Sequence, residues 1–426
     1  MTMRDTTTTT VTANGSEYAV PTRPTVVFTV DGGAMSYFTA ALDAGVMPNL
    51  RDMVAGGAFV GEGLSEMPSY TNPNNMSIVT GVSPAVHGIP GNYSRTADGT
   101  ERLLNEPSAL RADSVHAAFQ AAGHATLAVT AKDKLRRLLA HGGVPSVSSE
   151  RAHELRLDAY GIDNIPELVG RPNPHIYDWE ASAYAMDIGL AVHRAVGPLT
   201  LVYISLTDYV QHHEPPGSDL ANRFYQAFDS RLGHYLSEGF AVGITADHGM
   251  NAKHHADGSP RVVYVEDELA DIDPKVHVVL PITDPYTAHH GSLGSFAWVY
   301  VADDKRVAAR ERLAEILGIT EVYDGDEAAV MFELPRDLAG DIAVTSDRGT
   351  ALGRSRAFHD QASLPSGLRS HGGRYEQVVP VIVSESLPPR YLATIQGRPL
   401  RNRYIHDLVL NGLAAERNAG EGITCS

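Results

Sequence analysis

The sequence predicts an α/β protein: a mostly parallel central sheet flanked by helices, with an α+β cap inserted into it. Three observations predict this. Short β-rich runs alternate with helical patterns between Pro24 and Ala246. Three of those runs end on a carboxylate. After about His255 the texture changes, and near Arg369 the chain returns to a glycine turn and a strand.

In order, "PTVVFTV" (Pro24–Val30) is a buried strand of β-branched residues. "SYFTAALDAGVMPNLRDMVAGGAFV" follows as helix, turn and helix, closed by Gly56 and Gly57. "HATLAVT" (His124–Thr130) is a strand and "EASAYAMDIGLAVHRAV" (Glu180–Val196) a helix. "LTLVYISLT" (Leu199–Thr207) and "FAVGITA" (Phe240–Ala246) are strands again. "RVVYVEDEL", "KVHVVLPIT", "FAWVYV" and the "RVAARERLAEILGI" helix form the insert, and "VVPVIVS" returns to the sheet. The expected organisation is a disordered tail over 1–22, a core over 23–255 and 367–426, and a cap over 256–366.

A length of 426 residues suits one elaborated domain or two. Hydrophobic content of 43% and charged content of 20% are those of a globular protein. The net charge of −17 disfavours nucleic acid and anionic membranes as partners, although a local cationic site can still hold a small anion. The single cysteine, Cys425, excludes an intrachain disulfide and argues against a thiolate metal site. Any transition metal must then use N and O donors, and 19 histidines are present. The Thr-rich N-terminus has no apolar core of a signal peptide, and no run spans a bilayer, so the cytoplasm is the expected location.

The three carboxylates are Asp31 after "TVVFTV", Asp208 after "LVYISLT" and Asp247 after "VGITA". In open α/β sheets, ligands bind beyond the carboxyl ends of the strands. Each aspartate alone reads as a helix N-cap. Three together would repel one another unless a cation joined them. Asp208 and His212 are spaced i, i+4, one face of a helix. His248 adjoins Asp247, and His371 lies in the flexible turn "SHGG". Three Asp and three His are too many for one tetrahedral ion and about right for two. Donors without thiolate suit Zn²⁺, with Mn²⁺ or Fe as substitutes.

The stretch "EMPSYTNPNN" places Thr71 at the start of a helical pattern. Its hydroxyl is either a simple cap or a nucleophile set beside a metal, where free first-turn N–H groups also attract an anion. Ser69 and Ser77 are competing hydroxyls less well placed.

These residues carry a resemblance. "PSYTNPNNMSIVTGVSPAVHGIPGN" (Pro68–Asn92) resembles the nucleophile segment of the alkaline phosphatase superfamily, near the nucleotide pyrophosphatase/phosphodiesterases. Asp31, "DYVQH", "TADHGM" and "SHGG" extend it across most of the core. "MPSYTNPNNMSIVTG", "DYVQHHEPPGS" and "TADHGMNAKH" are most similar to the phosphonoacetate hydrolases of that superfamily. The resemblance implies an alkaline-phosphatase-like core with two Zn²⁺ per chain. Asp208, His212 and His371 would hold one ion. Asp31, Asp247 and His248 would hold the other, with Thr71 at its open position as nucleophile, and Asn92 would donate to a phosphonate oxygen.

The implied reaction is hydrolysis of the C–P bond of phosphonoacetate to acetate and phosphate. The alternative is a phosphodiesterase or nucleotide pyrophosphatase of the same superfamily, and a metal-stabilised binding protein is a rival from another class. Expulsion of a carbanion needs cations near the substrate carboxylate. "VTAKDKLRR" offers Lys132 and Lys134, which share one side if that stretch is extended; the resemblance also places substrate-holding lysines there. A solvated basic helix face is the plainer reading, applied here to Arg136 and Arg137. His213, His254, His255, His289 and His290 are left without a site role, His87 reads as structural and Asp43 as a helix-surface acid. The expected partner is a small anionic organophosphonate, with no nucleic acid, no membrane, and a homodimer left open.

Overall fold

The computed structural model describes residues 9–175, 177–282 and 292–415. Its two large sheets and one hairpin account for the strands numbered here in chain order. β1 (Thr10–Ala13) and β2 (Ser16–Ala19) pair antiparallel. β3 (Thr25–Thr29), β4 (Phe59–Leu64), β5 (Thr126–Thr130), β6 (Ser146–Ser148), β7 (Leu201–Ser205) and β8 (Ala241–Thr245) follow. β9 (His277–Val279), β10 (Phe296–Tyr300), β11 (Ile319–Asp324) and β12 (Ile342–Ser346) come next, and β13 (Val378–Val383) is last.

The central sheet has seven strands in the order β4-β13-β8-β3-β7-β5-β6. The run β8-β3-β7-β5-β6 is parallel, and only β13 opposes its neighbours. β3, β5, β7 and β8 are buried at every residue because helices cover both faces, which is why they read as unbroken apolar runs. One face packs on helices Met35–Asp43, Glu180–Val196 and Asp219–Ser237 through Phe28, Phe38, Ile204 and Tyr235. The other packs on helix Thr71–Thr80 and the C-terminal segment through Val27, Ile78, Tyr203 and Leu408. The mostly parallel, helix-flanked core expected from the sequence is therefore present.

The strands of the insert form a second, antiparallel sheet, β9-β10-β12-β11, packed on helices Val265–Leu269 and Arg306–Glu315. Met67 and Tyr70, beside the helix Thr71–Thr80, belong to this second core, so the insert packs directly on the start of that helix.

One expectation is corrected. Disorder through residue 22 does not hold, because β1 and β2 form a hairpin with Val11, Ala13 and Tyr18 buried. Its turn is Asn14–Gly15, both at positive φ, the Asn-Gly signal of a tight hairpin. The second helix, Pro48–Ala55, ends at Gly56 as expected, and the sheet-edge strand β4 that follows has no counterpart in the sequence reading, its "GEG" hiding it because glycine weakens a strand pattern. Among the described residues, no helix is long and apolar enough to cross a membrane.

Candidate active site and metal centre

Parallel register delivers the site. Thr29 of β3 lies level with Ser205 of β7 and Thr245 of β8, and Ser205 lies level with Thr130 of β5. The turns that leave these four adjacent strands therefore place Asp247 and His248, Asp31, Asp208 and Lys132 along one edge, where an open α/β sheet binds its ligands. His212 arrives on the short helix Tyr209–His213, with Nε2 3.0 Å from Asp208 Oδ2. His371 follows a two-residue strand, Arg369–Ser370, that pairs with Asn251–Ala252 just past His248. Gly372 has φ +117°, and any Cβ there would collide with the Tyr70 ring.

The six predicted donors meet as two groups: Asp208, His212 and His371, and Asp31, Asp247 and His248. Within each group the donor atoms lie within 4.8 Å of one another. The His248 and His371 rings stack at 3.5 Å between centroids, 5° from parallel, which brings the two groups side by side.

Hydrogen bonds orient all three histidines. His212 Nδ1 lies 3.0 Å from the Arg369 carbonyl, His371 Nδ1 2.9 Å from the Ser69 carbonyl and His248 Nδ1 2.9 Å from the Gly249 carbonyl. A carbonyl only accepts, so each Nδ1 carries the proton and each Nε2 keeps its lone pair for the site. Asp247 is held in turn by the N–H groups of Gly32 and His248 and by the Asn75 amide.

The electrostatics ask for cations. Burial and the neighbouring Asp31 push the Asp247 carboxyl well above the usual carboxylate range. Burial alone would lower His248, but Asp247 and Asp31 win and raise it to about 9. Burial, with His248 and His212 alongside, holds His371 well below its ordinary value. Burial would raise Asp208, yet Lys132 and His212 hold it well below. Asp31 Oδ1 is sealed from solvent and has no hydrogen-bond partner, while His248 Nε2 stands 3.1 Å away. When His248 is neutral, with its one ring proton on Nδ1, those two atoms are acceptors face to face, an arrangement that a divalent cation satisfies in place of the second ring proton. The residues thus fit a pair of N/O-ligated ions.

Thr71 is the first residue of helix Thr71–Thr80; Tyr70 is the N-cap, so the Thr71 hydroxyl is not used as a cap. Its Oγ1 lies 3.4 Å from His248 Nε2. Ser69 donates to the Gly373 carbonyl and Ser77 bonds His87, so both competing hydroxyls are engaged elsewhere. The expected anion site of free first-turn N–H groups is narrowed: Asn72 N–H donates to Asn92 Oδ1 at 2.9 Å, and Pro73 has no N–H. That bond instead orients the Asn92 amide, leaving its NH₂ end to donate.

Lys132 Nζ lies 2.6 Å from Asp208 Oδ1 and 3.4 Å from Asp31 Oδ2, bridging one carboxylate of each group. Burial lowers its pKa, but those two aspartates win and raise it. The extended geometry expected for Lys132 and Lys134 is corrected. Helix Asp133–Leu139 begins at once, so the two point in different directions, and Lys134 is exposed on the first turn. Arg136 pairs with Asp133 and Arg137 with Glu106, as a helix surface would. His213 is exposed and bonds the Tyr209 carbonyl, His87 is buried and bonds Ser77, and Asp43 is exposed. His289 and His290 lie outside the described residues. Sequence reasoning missed Asn75, whose amide joins Thr71 O to Asp247; an Asn four residues after Thr71 on a buried helix face was the available signal.

Residues 25–382 match the model of the type I phosphodiesterase/nucleotide pyrophosphatase family. Crystal structures of phosphonoacetate hydrolase from Sinorhizobium meliloti 1021, in complex with phosphonoformate and with phosphonoacetate, are 42% identical to this chain. Each covers 95% of this chain and 99% of its own, with a TM-score of 0.90. The murine ectonucleotide pyrophosphatase/phosphodiesterase 5 structure, 17% identical, covers 86% of this chain and 89% of its own, TM-score 0.59. The alkaline phosphatase PafA, 16% identical, covers 86% and 92%, TM-score 0.62. These two share the fold.

Proposed function

We propose that this chain, which belongs to the type I phosphodiesterase/nucleotide pyrophosphatase family, hydrolyses the C–P bond of phosphonoacetate to acetate and phosphate. The observation that carries this reading is the position of Lys132. It stands between the two donor groups, where its charge can meet a carboxylate beside the substrate phosphorus, a group that a simple phosphodiester lacks. The 42% identical relative, solved with phosphonoacetate, supports the same substrate.

Thr71 Oγ attacks phosphorus in line as the C–P bond breaks, its proton passing to solvent. The departing electron pair spreads into the carboxylate as an enediolate, which Lys132 stabilises, with Lys134 at most a distant contributor from the exposed first turn, and water protonates it to acetate. Asn92 donates its amide to a phosphonate oxygen. Water then cleaves the phosphothreonine, releasing phosphate and restoring the hydroxyl. Two divalent cations, zinc in this reading with manganese or iron as substitutes, would lower the pKa of the Thr71 hydroxyl and neutralise the phosphonate oxygens. Asp208, His212 and His371 would hold one and Asp31, Asp247 and His248 the other. We place the activity in the cytoplasm, where a chain with one cysteine needs no oxidising chemistry.

The phosphodiesterase reading has the family description in its favour. Phosphate release from a panel of phosphonates, run beside p-nitrophenyl phosphodiesters and metal analysis, separates the two. Phosphate from phosphonoacetate supports the proposal; cleavage of the diesters alone refutes it.

A further inference from the structure

We propose that Lys253 and Glu376 are positioning residues that hold the histidine loops of both donor groups in register. Lys253 is fully buried and Glu376 is 1% exposed. Lys253 Nζ donates to Glu376 Oε1 at 2.9 Å and to the Arg348 carbonyl at 3.0 Å. The same carboxylate accepts from the Asn251 amide at 2.6 Å and, through Oε2, from Gly373 N–H at 3.0 Å. The backbone carbonyl of Glu376 accepts Gly249 N–H at 2.7 Å.

The two ends of Glu376 therefore grip different loops. Its carbonyl holds the residue after His248, and its side chain holds the second residue after His371. Those are the rings that stack at 3.5 Å where the two groups meet. Lys253 fixes the Glu376 side chain and ties it to the turn at Arg348, whose Nε donates to Asn251 Oδ1 at 2.9 Å. A charge pair in a dry interior stabilises less than apolar side chains of the same bulk, so stability does not account for it. What it supplies is one geometry: an acceptor that two loops share, held by a cation that cannot shift without losing its partners. The proposal rests on the donor groups binding metal, not on the identity of the substrate.

The test compares wild type with K253M, the double variant K253M/E376L and the near-isosteric E376Q. Three quantities are read: zinc affinity by competition with a chromophoric chelator, the absorption spectrum of the Co²⁺-loaded protein, and the melting temperature of the metal-free protein. K253M should melt lower than wild type, since it strands a buried carboxylate. The double variant should recover that loss, yet bind at least one zinc equivalent about tenfold more weakly and show an altered Co²⁺ spectrum. E376Q should weaken zinc likewise, and it decides the question if the double variant does not fold. Wild-type zinc affinity and Co²⁺ spectra in both would overturn the proposal. So would affinity that falls only in step with melting temperature, the mark of a merely structural pair. A wild-type protein inert toward phosphonoacetate would sink the substrate reading and leave the zinc measurements to decide this one.

Discussion

Asp31, Asp247 and His248 leave two neighbouring parallel strands and are sealed from solvent, whereas Asp208, His212 and His371 come from a strand end, a five-residue helix and a glycine turn. The His212 side chain is 25% exposed. The buried group takes the placement of its aspartates from sheet register, with the His248 loop also held by the bond from Gly249 N–H to the Glu376 carbonyl. The outer group depends on hydrogen bonds that its histidines donate to the Arg369 and Ser69 carbonyls and that Gly373 N–H donates to Glu376. Thr71 stands against the buried group and Lys132 bridges both. Under the proposed mechanism, chemistry would sit on the rigid side and substrate selection where the two sides meet.

The largest effect that would break this contrast is at Thr71. T71A should take up zinc normally and lose phosphate release by on the order of 10⁴-fold or more, measured at saturating phosphonoacetate. Normal turnover would remove the nucleophile from the buried group. Next, D247N should lose the buried ion and activity by more than about a hundredfold, and added zinc should not restore it. H212N should lose the outer ion more readily, with activity returning in excess zinc. Chelator titration of wild type should accordingly release metal in two phases. One phase would show the groups to be equivalent.

K132A should raise KM for phosphonoacetate about tenfold or more, because a charged contact of about 1.5–3 kcal/mol is lost. A phosphonate without the carboxylate should be spared; equal effects would dismiss the clamp. Stability of the metal-free protein sharpens the same comparison. His248 is raised from 6.5 to about 9 in the fold, so its stabilising contribution is complete below pH 6.5 and disappears as pH rises through 9. Thermal melts of chelated protein should therefore fall over that window, by the equivalent of roughly a few kcal/mol, and zinc should flatten the fall. The smallest effect belongs to K134A: an exposed lysine should change KM by less than about fivefold.

Much of the site is legible in the amino-acid order alone. Asp31, Asp208 and Asp247 stand out because fully buried parallel strands are apolar throughout, so a carboxylate ending three of them has nowhere to be but the sheet edge. The histidines follow from helical spacing, adjacency and a glycine turn. What stays hidden depends on partners far apart in the chain. β4 is broken by glycines and finds its place only against β13. Lys253 and Glu376 are distant in sequence, and a lysine beside two histidines in "NAKHH" reads as surface until burial is seen. Lys132 stands out in the sequence for a mistaken local reason, since the segment turns into helix at Asp133. The Asn14–Gly15 turn is visible, but the Thr-rich stretch before it disguises the hairpin.

The most direct test measures acetate and phosphate released from phosphonoacetate by the zinc-loaded protein, with zinc counted per chain. Equimolar acetate and phosphate at two zinc ions per chain, abolished in T71A, is the predicted result. Fully loaded protein that releases neither product, or that releases both undiminished without the Thr71 hydroxyl, would contradict the account.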